Sequence, residues 1–136
     1  MKTLFLLFIM AVSQQITAQD TATVTVTIEN IANDEGEILL GMFTQEKFIK
    51  AQPNYSANAK IENGKAIITF NEVPHGWYAI SCFQDKNGNN KMDFQNNGMP
   101  KEDYGVSNNP MLMGPPTWDD AKFEVNATTK EIVIRL

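Results

Sequence analysis

A strict period of two among apolar residues is the feature that most constrains how this chain can fold. Val24, Val26 and Ile28 alternate with threonines, which is typical of a β-strand with one buried face. Further short apolar runs lie at residues 37–43, 66–70, 77–83, 121–125 and 131–136. With no long amphipathic helix, these runs predict an all-β fold: a single antiparallel β-sandwich of about seven strands with one long polar loop.

Turn-forming residues between the runs predict three hairpins. Gly36 follows three polar residues and separates the first two runs, while Asn63-Gly64 is the strongest two-residue turn signal in the chain. We therefore expect the run at 23–28 to pair with 37–43, and the chain to fold back at Asn63-Gly64. The last two runs, 121–125 and 131–136, are expected to form the closing hairpin.

Residues 1–19 have the pattern of an export signal, leaving residues 20–136 as one β-sandwich domain. Lys2 provides the positive start, residues 4–12 are almost continuously apolar, and Ala18 or Gln19 offers the cleavage position. The apolar run is too short to span a bilayer, which needs about 20 residues. The sequence predicts a periplasmic or secreted protein without a membrane span; the alternative is an uncleaved anchor.

The net charge and the distribution of basic residues restrict the classes of partner that the protein can bind. Without residues 1–19 the chain has ten basic and sixteen acidic residues, a net charge of −6. The basic residues are scattered, whereas a nucleic-acid surface needs Lys and Arg clusters. We expect no nucleic-acid partner, and a protein or a glycan is the kind of partner left open.

Recognisable catalytic chemistry is missing from the sequence, which favours a non-enzymatic protein. His75 is the only histidine and lies in a Pro-His-Gly turn, so a zinc centre lacks ligands. No nucleophile elbow or phosphate-binding glycine loop occurs. Cys82 is the only cysteine and rules out an internal disulfide. Its place in an alternating run predicts a small buried hydrophobe, and a reactive thiol is the alternative.

The loop after residue 84 has oxygen-bearing side chains at every second position, as calcium loops do. The predicted ligands are Asp85, Asn87, Asn89 and Asp93 by side chain and Lys91 by its backbone carbonyl. Asn90 occupies the usual glycine position, and Asn96 the position of the bidentate Glu. Glu102 could supply that missing carboxylate if the chain turns back. The alternative is a series of Asx turns without an ion.

A longer motif continues from this loop to residue 109 and on to residues 114–123. Its most distinctive parts are Asp85-Lys86-Asn87-Gly88-Asn89 and the stretch from Gly98 to Asn109. This motif resembles the exported bacterial family known as domain of unknown function 2141. Asn90 stands where that family commonly has Gly, and Val106 where it commonly has Phe.

The resemblance implies a Greek-key sandwich of the transthyretin or carboxypeptidase-regulatory type, a scaffold used for binding more than for catalysis. It also places Glu102 and the residues after it in one motif with the ion loop. The alternative function is a small-molecule or glycan binding module without metal. Its predicted ligand-binding residues are Tyr104, Ser107, Asn108 and Trp118.

Overall fold

The computed structural model describes residues 20–136; the predicted export signal at 1–19 lies outside them. The described chain is nearly all β-structure, with two sheets and one short helix. In chain order the elements are β1 (Thr21–Glu29), β2 (Glu37–Phe43), β3 (Tyr55–Lys60), β4 (Ala66–Pro74), β5 (Gly76–Asp85), β6 (Tyr104–Val106), α1 (Trp118–Ala121), β7 (Phe123–Val125) and β8 (Thr129–Arg135). The predicted all-β fold with two sheets is therefore confirmed.

Two sheets with buried inner faces give the domain a sandwich-like form. One sheet has the order β4-β1-β8, and the other has the order β3-β2-β5-β6, with β7 also paired to β5. Val24, Val26 and Ile28 of β1 are fully buried while the intervening threonines are partly exposed. The alternation recognised in the sequence thus fixes which side of each strand meets the core.

The predicted partners of several strands are wrong. β1 and β2 lie in different sheets, and so do β7 and β8, so neither pair forms a hairpin. Asn63 and Gly64 do form the expected tight turn, with φ of 53° and 74°, but the strands on either side belong to opposite sheets. Alternation specifies a buried face without specifying which sheet supplies the neighbour, and these connections cross between sheets.

The first and last strands pair in parallel, which departs from the predicted purely antiparallel arrangement. Val26 of β1 lies opposite Ile132 of β8 in this ladder, while β4 pairs antiparallel to the other edge of β1. The first and last strands of residues 20–136 therefore lie in the same sheet. The last residue of β8, Arg135, lies opposite the last residue of β1, Glu29.

The main core lies between the sheets and includes Cys82, which is 1% exposed. Burial raises the pKa of its thiol to about 12, although a hydrogen bond with the Gly105 backbone acts in the opposite direction. The prediction of a buried small hydrophobe is confirmed. A second, smaller cluster includes Phe43, Phe48 and Val106, with Trp118 packed against it. Within residues 20–136, no helix is long and apolar enough to cross a membrane.

Candidate functional site: the loop between β5 and β6

The last two residues of β5 hold the start of the long loop in place. Gln84 is fully buried, and its Nε2 donates hydrogen bonds to the Asn33 carbonyl, the Asn33 side chain and the Glu35 carbonyl at 2.8–3.1 Å. Gly36 adopts a φ of 70° and lies against the Asp85 backbone. The connection between β1 and β2 is thereby fixed to the end of β5, so Asp85 begins the loop from a rigid position.

Asp85 is a buried carboxylate with only one of its oxygens hydrogen-bonded. Its Oδ2 accepts the backbone N–H of Asn90 at 2.8 Å, and Asn90 has a φ of 60°. Asn90 therefore adopts the left-handed conformation that suits glycine at this position. Asp85 is 1% exposed, and its Oδ1 is buried without a hydrogen-bond partner. One carboxylate oxygen therefore closes the loop while the other remains free to bind something else.

Asn87 and Asn89 form the Asx turns of the ion-free alternative, but they also converge on Asp93. Their Oδ1 atoms accept the backbone N–H groups of Asn89 and Lys91 at 3.2 and 3.0 Å. Their amide nitrogens donate to the Asp93 carboxylate at 2.6 and 2.9 Å. An amide oxygen has two lone pairs, so an Asx turn leaves it able to bind a cation. The Asx turns by themselves therefore do not exclude a cation at this loop.

A small hairpin returns the chain from Asp93 to Glu102. Phe94 pairs with Pro100, and the backbone N–H of Lys101 donates to the Asp93 carbonyl at 2.8 Å. Glu102 is 6% exposed, and neither of its carboxylate oxygens has a hydrogen-bond donor. The chain therefore does turn back toward Asp93, which is the condition under which Glu102 could supply the missing carboxylate.

Glu102 and Asp93 behave as a pair of carboxyl groups competing for ionisation. Burial raises the pKa of Glu102 to about 7, aided by its contact with Asp93 and by the negative charges of Asp93 and Asp85. The pKa of Asp93 is lowered, first by its contact with Glu102 and then by the hydrogen bonds from Asn87 and Asn89. Two ionised carboxylates cannot donate to each other, so a hydrogen bond between Glu102 and Asp93 requires a proton on Glu102.

The donor set consists of oxygen atoms, the ligands that hard cations prefer. In the described part of the chain, no three His, Cys, Asp or Glu side chains are grouped so that they could hold a metal ion. Instead, the side-chain amides of Asn87 and Asn89 donate hydrogen bonds to the Asp93 carboxylate. A cation at this loop would have to replace those two amide bonds and draw Asp85 and Glu102 together. The assignments of Asp85, Asn87, Asn89, Lys91, Asp93 and Glu102 as ligands stay predictions.

The four residues predicted to bind a small molecule do not share one surface. Ser107 is fully buried; its hydroxyl accepts from the Ile80 N–H at 3.0 Å and donates to the Ala121 carbonyl. Asn108 donates to the carbonyls of Asp120 and Lys122 at 3.1 and 2.8 Å. Both side chains therefore fasten the β6 region to the segment around α1.

Trp118 and Tyr104 occupy different surroundings. Trp118 is the first residue of α1 and packs edge-on against Phe48, with ring centroids 6.1 Å apart. Tyr104 begins β6 and lines an open groove of about 420 Å³. Of the four predicted residues only Tyr104 lines this groove. The ligand-binding role of these residues stays a prediction.

Asn109 and Arg135 were missed by the sequence reasoning, although both line the same groove. The Asn109 side chain donates to the Val133 carbonyl at 3.0 Å and accepts from the Arg135 N–H at 2.9 Å. The Asn109 side chain therefore makes the pair of hydrogen bonds with the β8 backbone that a neighbouring strand would make. Asn109 closes the Ser-Asn-Asn part of the motif, but nothing local in the sequence indicates that β8 lies beside it.

The fold and the loop define an all-β, two-sheet domain in which a long polar segment is built around buried carboxylates. Residues 26–133 match the family described as uncharacterized proteins conserved in bacteria, DUF2141, and the chain belongs to that family. No curated protein and no solved structure matches the chain.

Proposed function

We propose that this protein is an exported, non-enzymatic β-sandwich domain, of the transthyretin type, whose Asp/Asn-rich loop binds a structural calcium ion. The observation that carries the proposal is the set of three buried carboxylate oxygens without hydrogen-bond partners: Asp85 Oδ1 and both oxygens of Glu102. An ionised oxygen that is buried and unpaired is costly. A cation that binds all three offsets that cost and removes the repulsion between the carboxylates.

The surrounding chemistry favours calcium over other metals. The loop offers carboxylate and amide oxygens with no His in reach of a zinc-type centre, and Cys82 is buried in the core. Calcium accepts six to eight oxygen ligands in flexible geometry, whereas magnesium demands a compact octahedron and keeps its waters. With three carboxylates, we expect a Kd of about 10⁻⁴ to 10⁻³ M, as in extracellular calcium modules.

The proposed role of the ion is to hold the loop together. Asp85 is the last residue of β5, and Glu102 lies two positions before β6. An ion bound by both would therefore join the two ends of the long loop. A segment of this length has little secondary structure of its own and needs such an organiser. Export to the periplasm or the exterior, where calcium is available at millimolar concentration, is part of the same proposal.

Calorimetric titration of calcium into EDTA-treated protein tests the proposal. We expect heat of binding and a rise in melting temperature. Calcium at about ten times its Kd should add about 1.4 kcal/mol to the free energy of unfolding. Asp85→Asn should abolish both effects, while the matched control Asp103→Asn, at an exposed position beside Glu102, should retain them. Absence of both effects in the unmodified protein at 10 mM calcium, about ten times the top of the expected Kd range, would refute the proposal.

The groove beside Tyr104 favours a second candidate, a small-molecule binding module that works without metal. Its volume of about 420 Å³ falls within the range of ligand pockets, about 300–1,000 Å³. Detection of a bound metabolite by mass spectrometry after mild purification in EDTA tests this candidate. Metabolite loss on Tyr104→Ala is the expected result.

A further inference from the structure

We propose that the groove between β6 and β8 binds a small molecule that carries a carboxylate on an apolar body, with Arg135 as its anchor. The inference rests on the second candidate function and is independent of calcium. The groove is lined by Tyr104, Gly105, Val106, Asn109, Pro110, Leu112 and Arg135. The lining exposes both polar and apolar surface, and its apolar part comes from the half-buried Tyr104, Pro110 and Leu112. These three side chains give the apolar body of a ligand a surface to contact.

Arg135 is the one charged residue of the lining. Its Nε donates to Glu29 Oε1 at 2.8 Å, and within residues 20–136 its terminal guanidinium nitrogens make no hydrogen bond. The side chain is 67% exposed. A guanidinium presents several donors in one plane and matches a carboxylate bidentately. The Glu29 contact fixes the position of Arg135 while the outer donors remain available to an anion.

Other polar side chains of the groove are already engaged. Both hydrogen-bonding ends of the Asn109 amide are bound to the β8 backbone. The hydroxyl of Tyr104 is the remaining side-chain group that can bond a ligand. One cation and one free hydroxyl beside a few apolar side chains favour an anion with a small apolar body over a hydroxyl-rich sugar, which needs several amide or carboxylate partners.

The strands that border the groove, β6 and β8, are held close together. A Cβ added at Gly105 would lie 2.7 Å from Ile134 Cγ2 and 3.1 Å from the Arg135 carbonyl, so β6 approaches β8 as closely as the backbone permits. The Asn109 amide joins the loop after β6 to the same stretch of β8. A wall that is already ordered does not lose conformational entropy on binding, which favours affinity.

Binding of 3-phenylpropionate and of its neutral amide, 3-phenylpropionamide, tests the assignment by NMR titration of the ¹⁵N-labelled full domain in EDTA. We expect the acid to shift the amide signals of Gly105, Val106 and Leu112, and to bind at least about tenfold more tightly than the amide. Arg135→Met should reduce the affinity for the acid by about tenfold and leave that for the amide unchanged.

Lys122→Met is the matched control, because it removes one exposed positive charge away from the groove. It should leave the titration unchanged. Equal binding of acid and amide would overturn the role of Arg135, and the absence of shifts at groove residues would overturn the site. Because EDTA is present throughout, failure here leaves the calcium proposal intact, and failure of calcium binding leaves this test intact.

Discussion

The backbone of Gly36 lies against the carbonyl oxygen of Asp85: a Cβ at residue 36 would come within 1.9 Å of that oxygen. Both atoms in this contact belong to backbone, so neither can rotate away. The same glycine has a φ of 70°, a conformation that side chains disfavour. The start of the loop between β5 and β6 therefore depends on a glycine that lies about fifty positions earlier in the chain.

Gly36→Ala should lower the free energy of unfolding by about 3 kcal/mol, because it adds a backbone clash to the strain of a positive φ. Gly88→Ala is the matched control: Gly88 has a φ of 71° and no heavy atom within 4 Å of a built Cβ. It should cost only about 1 kcal/mol. Urea unfolding of both variants measures the difference, and equal losses would contradict the argument from contact.

The elevated pKa of Glu102 makes the calcium-free protein less stable as pH rises. The folded-state pKa of about 7 lies above the ordinary value of 4.5. Its stabilising contribution is therefore complete below about pH 4.5 and is lost as pH rises through 7. Glu102→Gln, which cannot ionise, should remove this loss. Chemical unfolding of both proteins in EDTA at pH 4.5, 6 and 8 measures the difference.

Calcium should reverse this pH dependence, because the ion binds the ionised form of Glu102. In excess calcium the unmodified protein should gain stability between pH 6 and 8, whereas Glu102→Gln should show little gain. If the free energy of unfolding in EDTA varies with pH in the same way for the unmodified protein and for Glu102→Gln, Glu102 is not the titrating group. Those measurements do not depend on calcium binding.

Cys82 should be inert to thiol reagents in the folded protein. Its burial and a pKa of about 12 keep it protonated and inaccessible at pH 8. We expect negligible reaction with Ellman's reagent under native conditions. In 8 M urea, one thiol per chain should react. Rapid stoichiometric reaction of the folded domain would favour the reactive-thiol alternative.

Ile49 is a β-branched residue with a φ of 58° and a side chain that is half exposed. Such a residue in the left-handed region is strained. Ile49→Asn should therefore stabilise the protein by about 1 kcal/mol, since Asn tolerates this conformation. Ile67→Asn replaces an exposed isoleucine within β4 and should destabilise it slightly. Thermal unfolding compares the two variants.

Local patterns predicted local features well. The alternation of Val24, Val26 and Ile28 identified the buried face of β1, and Asn63-Gly64 identified a real turn. Pairing was not predictable, because β1 finds its neighbours β4 and β8 far along the chain. A single sequence contains no signal for which of several equally apolar strands will lie beside another.

The same division applies to the site. The spacing from Asp85 to Asp93 predicted either a calcium loop or a series of Asx turns, and the Asx turns are present. The family resemblance connected this loop to Glu102, which the structure brings back to Asp93. The groove could not be predicted, because it exists only where β6, Asn109 and Arg135 meet. Asn109 looked like one more loop amide until its two bonds to β8 gave it a structural role.

The parallel pairing of β1 with β8 gives the domain two unlike poles. The start of β1 lies beside Thr129 and Pro74, whereas Glu29, Asp85, Tyr104 and Arg135 all lie toward the opposite end. Asp20 therefore lies at the pole opposite the loop and the groove. An affinity tag or surface linkage at that end should leave both candidate sites facing solution.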